Sequence, residues 1–169
     1  MKINIETVRK VMITDVSGLD PIAVYLEDMG TGKGKIIITC YNQSWTSYWG
    51  GMGDRTISAF VKSCDNHYLA KNLSRIPVEI NDYDALKSDM LKKIIEKRKT
   101  LELNELDTRC AYDNIEGYDA EELCKDRHDL LTLCYGDEWW CCIPKKINPE
   151  YTYLGRILTV VKEALIDIP

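Results

Sequence analysis

Residues 22–49 read Ile22-Ala23-Val24-Tyr25-Leu26-Glu27-Asp28-Met29-Gly30-Thr31-Gly32-Lys33-Gly34-Lys35-Ile36-Ile37-Ile38-Thr39-Cys40-Tyr41-Asn42-Gln43-Ser44-Trp45-Thr46-Ser47-Tyr48-Trp49, and this stretch decides the fold. Ile22, Val24 and Leu26 fall on one side of an extended chain and Ala23, Tyr25 and Glu27 on the other, the period of two that a half-buried strand requires. A glycine loop, 30–34, leads into a β-branched run over 35–41, so the two segments read as a hairpin. A third strand at about Trp45–Trp49 extends them into an antiparallel meander. Upstream, Ile3, Ile5, Val8, Val11, Ile13 and Val16 recur at mostly even intervals, which predicts one or two short strands within 2–16. The cluster Ser17-Gly18-Leu19-Asp20-Pro21 is a turn between them and the meander.

Downstream, the period changes to that of helices. Gly50-Gly51-Met52-Gly53 ends the sheet, and Asp54 is expected to cap a helix running through Ile57, Phe60 and Val61. Asp65-Asn66 interrupts that helix, and His67–Leu73 continues as a further turn or a second short helix. Tyr83, Leu86, Met90, Leu91, Ile94 and Ile95 form one apolar face of a helix over 83–98. Helices are also expected over 104–114 and 118–134, and Trp139-Trp140-Cys141-Cys142-Ile143 reads as a strand or buried loop. Asn148-Pro149-Glu150 carries an N-cap, a first-turn proline and a carboxylate that complements the helix dipole, so a last helix starts there. The class is α+β: an N-terminal antiparallel β-meander within a β-rich region, residues 1–55, with the helices of 56–169 packed on or beside it. The length of 169 residues suits a single domain over 1–169.

The balance of 45% hydrophobic and 29% charged residues excludes disordered, collagen-like and coiled-coil classes. No stretch approaches the roughly 18–20 apolar residues of a membrane span, and residues 1–6 lack the apolar run of a secretory signal. The expectation is a cytoplasmic protein without a membrane partner. Seven cysteines, an odd number without framework spacing, argue for free thiols rather than a disulfide scaffold. Net charge is -5, but it is unevenly placed. Residues 31–75 carry six basic and two acidic side chains, whereas residues 76–143 carry nine basic and seventeen acidic ones.

Several segments carry candidate chemistry. Gly30-Thr31-Gly32-Lys33-Gly34-Lys35 suggests a phosphate cradle, but it joins two strands, opens no helix and has no Ser or Thr after the lysine, so a mobile hairpin tip is expected. Trp49–Thr56 leads glycine-rich backbone into a helix start, where free N–H groups favour an anion. Asp54 places a carboxylate there instead. Trp45, Tyr48, Trp49, Arg55 and Lys62 together suggest stacking of bases with flanking cations, the pattern of a nucleic-acid-binding module. Cys64 and His67 are a local thiol–imidazole pair, the basis of a small-enzyme reading. Cys124, His128, Cys134, Cys141 and Cys142 lack the paired knuckles of structural zinc, so neither metal nor cofactor is expected. The eight carboxylates Glu102, Glu105, Asp107, Asp113, Glu116, Asp119, Glu121 and Glu122, against one Arg109, present an acidic helical face suited to docking on a basic partner such as a nucleic-acid-binding host protein.

Trp45-Thr46-Ser47-Tyr48-Trp49-Gly50-Gly51-Met52-Gly53-Asp54-Arg55-Thr56 and Ser63-Cys64-Asp65-Asn66-His67-Tyr68-Leu69-Ala70, within about residues 20–73, resemble a family of small uncharacterised proteins of temperate bacteriophages and prophages. The resemblance implies a phage accessory protein acting in the bacterial cytoplasm and supplies no catalytic residues. Together with the divided charge and the lack of catalytic motifs, it favours a non-catalytic binder of an unknown protein partner, such as an inhibitor of a host or defence protein.

Overall fold

The computed structural model describes residues 1–3, 5 and 7–166, so two positions of the expected first strand, Asn4 and Glu6, lie outside the described residues. The meander is present as β1 (Arg9–Ile13), β2 (Ile22–Asp28), β3 (Gly34–Cys40) and β4 (Gln43–Trp49), antiparallel throughout and in spatial order β1-β2-β3-β4. Register places Val24 opposite Ile38 and Ile38 opposite Trp45, so the inward residues of three strands form one continuous apolar row. The chain is α+β, with a helical C-terminal half.

It divides into two compact units. The sheet unit comprises residues 1–78 and 148–169. Its core joins the inward face of the sheet to α1 (Ile57–Ser63), α2 (Asn66–Leu73) and α7 (Pro149–Ala164). Ile57, Leu69, Leu154, Ile157 and Leu158 are fully buried there. Full burial of each such side chain contributes about 1.5–3 kcal/mol. The start of α7 is as its sequence specifies: Asn148 Oδ1 accepts from the Glu150 N–H at 3.0 Å, and Pro149 occupies the first turn. Asn148 is itself buried, and its remaining groups are satisfied by Pro77 and Val78, its Nδ2 donating to the Pro77 carbonyl and its N–H to the Val78 carbonyl.

The helical unit comprises residues 79–147. It contains β5 (Glu79–Asn81), α3 (Tyr83–Lys99), α4 (Glu105–Gly117), α5 (Ala120–Asp126), α6 (His128–Tyr135), a 3₁₀ turn (Trp139–Cys142) and β6 (Lys145–Ile147). Leu86, Met90 and Ile94 of α3, Ala111 and Ile115 of α4, Leu123 of α5, and Leu130, Leu131 and Cys134 of α6 form its own core. β5 and β6 pair antiparallel, with Glu79 opposite Ile147. Two strands of three residues are too short to display a period, and the sequence does not reveal them.

Four local expectations are corrected. Helix α1 is capped by Thr56, whose hydroxyl accepts from the Ala59 N–H, and not by Asp54. The next free amide, Ile57 N–H, donates to Asp28 Oδ1 at 2.7 Å, a partner supplied by the end of β2. The helix expected over 118–134 is two helices broken at Arg127 (φ −125°, ψ 52°). The Arg127 guanidinium donates to both carboxylate oxygens of Asp129 and to Asn114 Oδ1, and lies over the Tyr118 ring. That network stabilises the break, and no helical period encodes it. Trp139–Cys142 is neither strand nor buried loop: it is a 3₁₀ turn in which Trp139 packs on His128 while Trp140, Cys141 and Cys142 are exposed.

The fourth correction concerns the glycine hairpin. Its loop is not a free tip, because the Gly32 carbonyl accepts from the Met52 N–H at 2.8 Å. Gly32 has φ +67°, and a Cβ there would lie 2.0 Å from the Gly53 carbonyl oxygen. The two glycine-rich stretches therefore interlock, and only glycine permits so close an approach of backbone to backbone. The contact carries Met52, which is fully buried, into the core beneath the sheet.

Candidate functional site

The acidic surface lies on α4, α5 and their flanks. All eight carboxylates singled out from the sequence are exposed, but most already have work within the fold. Glu102 accepts from Lys97 Nζ (2.7 Å) and the Thr100 hydroxyl (2.8 Å), and these bonds hold its carboxyl below its ordinary range. Asp113 pairs with Arg109 and Glu121 with Lys125, both one helical turn apart, while Glu105 stands 4.0 Å from Arg98. Asp107 accepts from Asn104 Nδ2, and Asp119 caps α5. Glu116 and Glu122 have no ion pair among the described residues. Seven ion pairs join described residues, and every one lies within the helical unit. That unit nonetheless has seventeen acidic against eleven basic side chains, whereas the sheet unit is nearly balanced at ten against eleven.

The aromatic platform is not assembled. Trp45 and Trp49 point inward from β4 at 7% and 8% exposure, and both belong to the core. Trp49 Nε1 donates to the Tyr68 hydroxyl at 3.1 Å, and its ring meets Phe60 at 5.4 Å. Tyr48 points the opposite way and is 53% exposed. Two indoles in the core offer no free face for a base, so of the three aromatics only Tyr48 remains available. Arg55 is also engaged: its Nε donates to the Met52 carbonyl, its Nη1 to Ser63 Oγ, and its guanidinium covers the Phe60 ring at 4.9 Å. Lys62 is half-buried on α1.

Cys64 and His67 do not form a dyad. His67 Nδ1 is hydrogen-bonded to the Tyr151 hydroxyl at 2.8 Å. The Cys64 thiol is pushed up by burial, which outweighs the opposing hydrogen bond with Ser63, so it is not an activated thiolate. His128 Nε2 is hydrogen-bonded to the Cys124 carbonyl. Burial raises the Cys124 thiol as well, and pushes Cys134 up to about 11. Among the described residues, no three His, Cys, Asp or Glu side chains converge as a metal requires.

One feature of the sheet unit leaves no local signal in the sequence. Lys71 and Arg75, two of the six cations of residues 31–75, line a cleft of about 410 Å³ together with His67, Ser74 and Tyr151. Residues 76–78 form its apolar wall.

A family model described as a phage family matches residues 1–167. The chain belongs to that phage family. The match runs far beyond the resemblance around 20–73 and spans both units, so the acidic helical unit of this phage protein is included in what the family model describes. No curated protein and no solved structure matches. Among its described residues no helix is long and apolar enough to cross a membrane.

Proposed function

We propose that this phage protein is a non-catalytic accessory protein that acts in the bacterial cytoplasm by docking on a basic protein partner, as an inhibitor or adaptor, through the acidic surface of its helical unit. The observation that carries the reading is the excess of six carboxylates on that unit over its own cations, displayed on exposed helix surfaces and left over after its internal ion pairs form. Uncompensated negative charge attracts a positive partner over about a Debye length, roughly 10 Å at 0.1 M salt, and raises the rate of encounter. Carboxylates already paired contribute less to such a field than those without partners. Glu116 and Glu122 therefore matter more than Glu102.

The test begins with a tagged pull-down from bacterial lysate, with and without nuclease. It continues with Glu116→Gln/Glu122→Gln and Glu102→Gln/Glu105→Gln against whatever is captured. A basic protein that survives nuclease, binds more weakly to the first double variant than to the second, and does so most clearly at low salt is the expected result. Binding that is unchanged at low salt in both variants would remove the acidic surface from the mechanism.

A further inference from the structure

We infer that the cleft formed by the C-terminal end of α2, residues 74–78 and the first turn of α7 binds a nucleotide phosphate, with the rest of the nucleotide against the apolar wall at 76–78. This site lies in the sheet unit and is independent of the acidic surface.

The charge comes first. Lys71 and Arg75 are exposed, and neither forms an ion pair or side-chain hydrogen bond with a described residue. Among the described residues, no carboxylate lines the cleft. Cations at a helix C-terminus complement the partial negative charge there, but that charge amounts to about half an elementary unit. Two full charges therefore leave more than one unit uncompensated. Lys71 and Arg75 border the same cleft, so an anion bound there is attracted by both. Arginine and lysine supply the two modes of phosphate recognition, the forked donor and the point charge.

The shape agrees. A volume of about 410 Å³ falls within the range of small-molecule sites, about 300–1,000 Å³, which is more than a bare phosphate needs. Val78 is 40% exposed beside the cations, so the cleft is amphipathic, charged on one side and apolar on the other. The polar floor is already ordered. The His67–Tyr151 hydrogen bond fixes the tyrosine ring, and the Ser74 hydroxyl donates to the Ala70 carbonyl while accepting from the Ile76 N–H. Ser74 thus shapes the cleft, and Lys71 and Arg75 are its free donors.

A nucleotide phosphate reaches such a site either free or within a single strand, and the experiment separates the two. The full-length protein is titrated with AMP and with inorganic phosphate by calorimetry, and with a fluorescein-labelled oligothymidylate by anisotropy. Lys71→Gln/Arg75→Gln is compared throughout with Lys35→Gln, a cation on the outer face of the sheet. Both altered residues are exposed, and a thermal melt confirms that the variant remains folded. The expected result is binding of AMP, the oligonucleotide or both, weakened about tenfold or more in the double variant and unchanged in Lys35→Gln. AMP binding identifies a free nucleotide, and binding of the oligonucleotide alone identifies a strand. For the strand, the dependence of log affinity on log salt flattens by about 1.4 in the double variant, from two lost phosphate contacts. Three results overturn the inference: no binding of any probe at millimolar concentration, binding undiminished in the double variant, or inorganic phosphate binding as tightly as AMP.

Discussion

The interlock of the two glycine stretches makes a demanding prediction. In Gly32→Ala the new Cβ meets the Gly53 carbonyl oxygen at 2.0 Å, and the separation must grow to at least 3.4 Å for ordinary contact. Both partners are backbone, so no side chain can swing aside. The displacement breaks the hydrogen bond from Met52 N–H to the Gly32 carbonyl, worth about 1 kcal/mol. An alanine held at φ +67° costs about another 1–2 kcal/mol, and disturbing the packing of fully buried Met52 adds about 1 kcal/mol or more. The sum is about 3–4 kcal/mol. Two neighbouring glycines separate these contributions. Gly30 has φ +99° with nothing within 4 Å of its Cβ position, so Gly30→Ala loses only the conformational contribution, about 1–2 kcal/mol. Gly51 has neither a positive φ nor a close neighbour, so Gly51→Ala is neutral or stabilises by up to about 1 kcal/mol. Urea unfolding followed by tryptophan fluorescence, in a Trp139→Phe/Trp140→Phe background, reports on Trp45 and Trp49 of the sheet unit alone. If Gly32→Ala and Gly30→Ala lose the same stability within error, the two loops do not touch and the reasoning fails.

Other predictions follow from the packing and the charges. Trp49→Ala destabilises the sheet unit by about 3 kcal/mol or more, through the lost ring volume, whereas Tyr48→Ala leaves its melting temperature nearly unchanged; equal effects in thermal melts would mean that β4 faces the other way. The Arg127 guanidinium holds the Asp129 carboxyl below its ordinary range, so their pairing stabilises the helical unit fully above about pH 4 and is lost as the pH falls through the lowered folded-state value. Asp129→Asn therefore flattens the acid limb of the stability curve, and an unaltered limb by circular dichroism counts against the pairing. Native-state alkylation read by mass spectrometry labels exposed Cys110, Cys141 and Cys142 quickly, and buried Cys40 and Cys134 slowly. Cys134, pushed up to about 11, labels last as the pH is raised toward 9, and labelling as fast as that of Cys110 would show the helical core to be open.

The meander was legible because alternation, glycine loops and turn residues agreed over residues 22–49, and α7 because Asn148, Pro149 and Glu150 each specify a helix start by a separate mechanism. The same alternation also bears on the aromatic platform. Trp45 and Trp49 are four residues apart on a strand and share a face, and Tyr48 takes the other, so the three cannot form a single stacking surface. Two of the ion pairs on the acidic segment, Arg109–Asp113 and Glu121–Lys125, are written in helical spacing. The bond between Lys97 and Glu102 is not, since it depends on how the chain turns after α3. The Asp28 carboxylate at the start of α1 and the Gly32–Gly53 contact rest on partners distant in sequence, and the break at Arg127 draws on Asn114 of α4 as well as on nearby Asp129, so local propensity does not disclose them. The cleft at Lys71 and Arg75 is of the same kind: its far wall is Tyr151, more than seventy residues away along the chain.

The sheet unit is discontinuous in sequence, with residues 79–147 written between its two segments. A ribosome emits the chain from the N-terminus, so the strands and α1 and α2 emerge first but lack the apolar residues of α7 that close their core: Leu154, Ile157, Leu158 and Val161. The helical unit, whose core residues all lie between Leu86 and Cys134, is complete in sequence before any of these is synthesised. The unit that begins first is thus finished last. During synthesis the open sheet exposes an incomplete hydrophobic face for as long as it takes to translate some seventy residues, roughly 4–14 s at bacterial rates of about 5–20 residues per second. A chain truncated before Asn148 would keep a native helical unit and an unfinished sheet, and solubility would then depend on whatever covers Ile22, Val24, Ile36 and Ile38 in the place of α7.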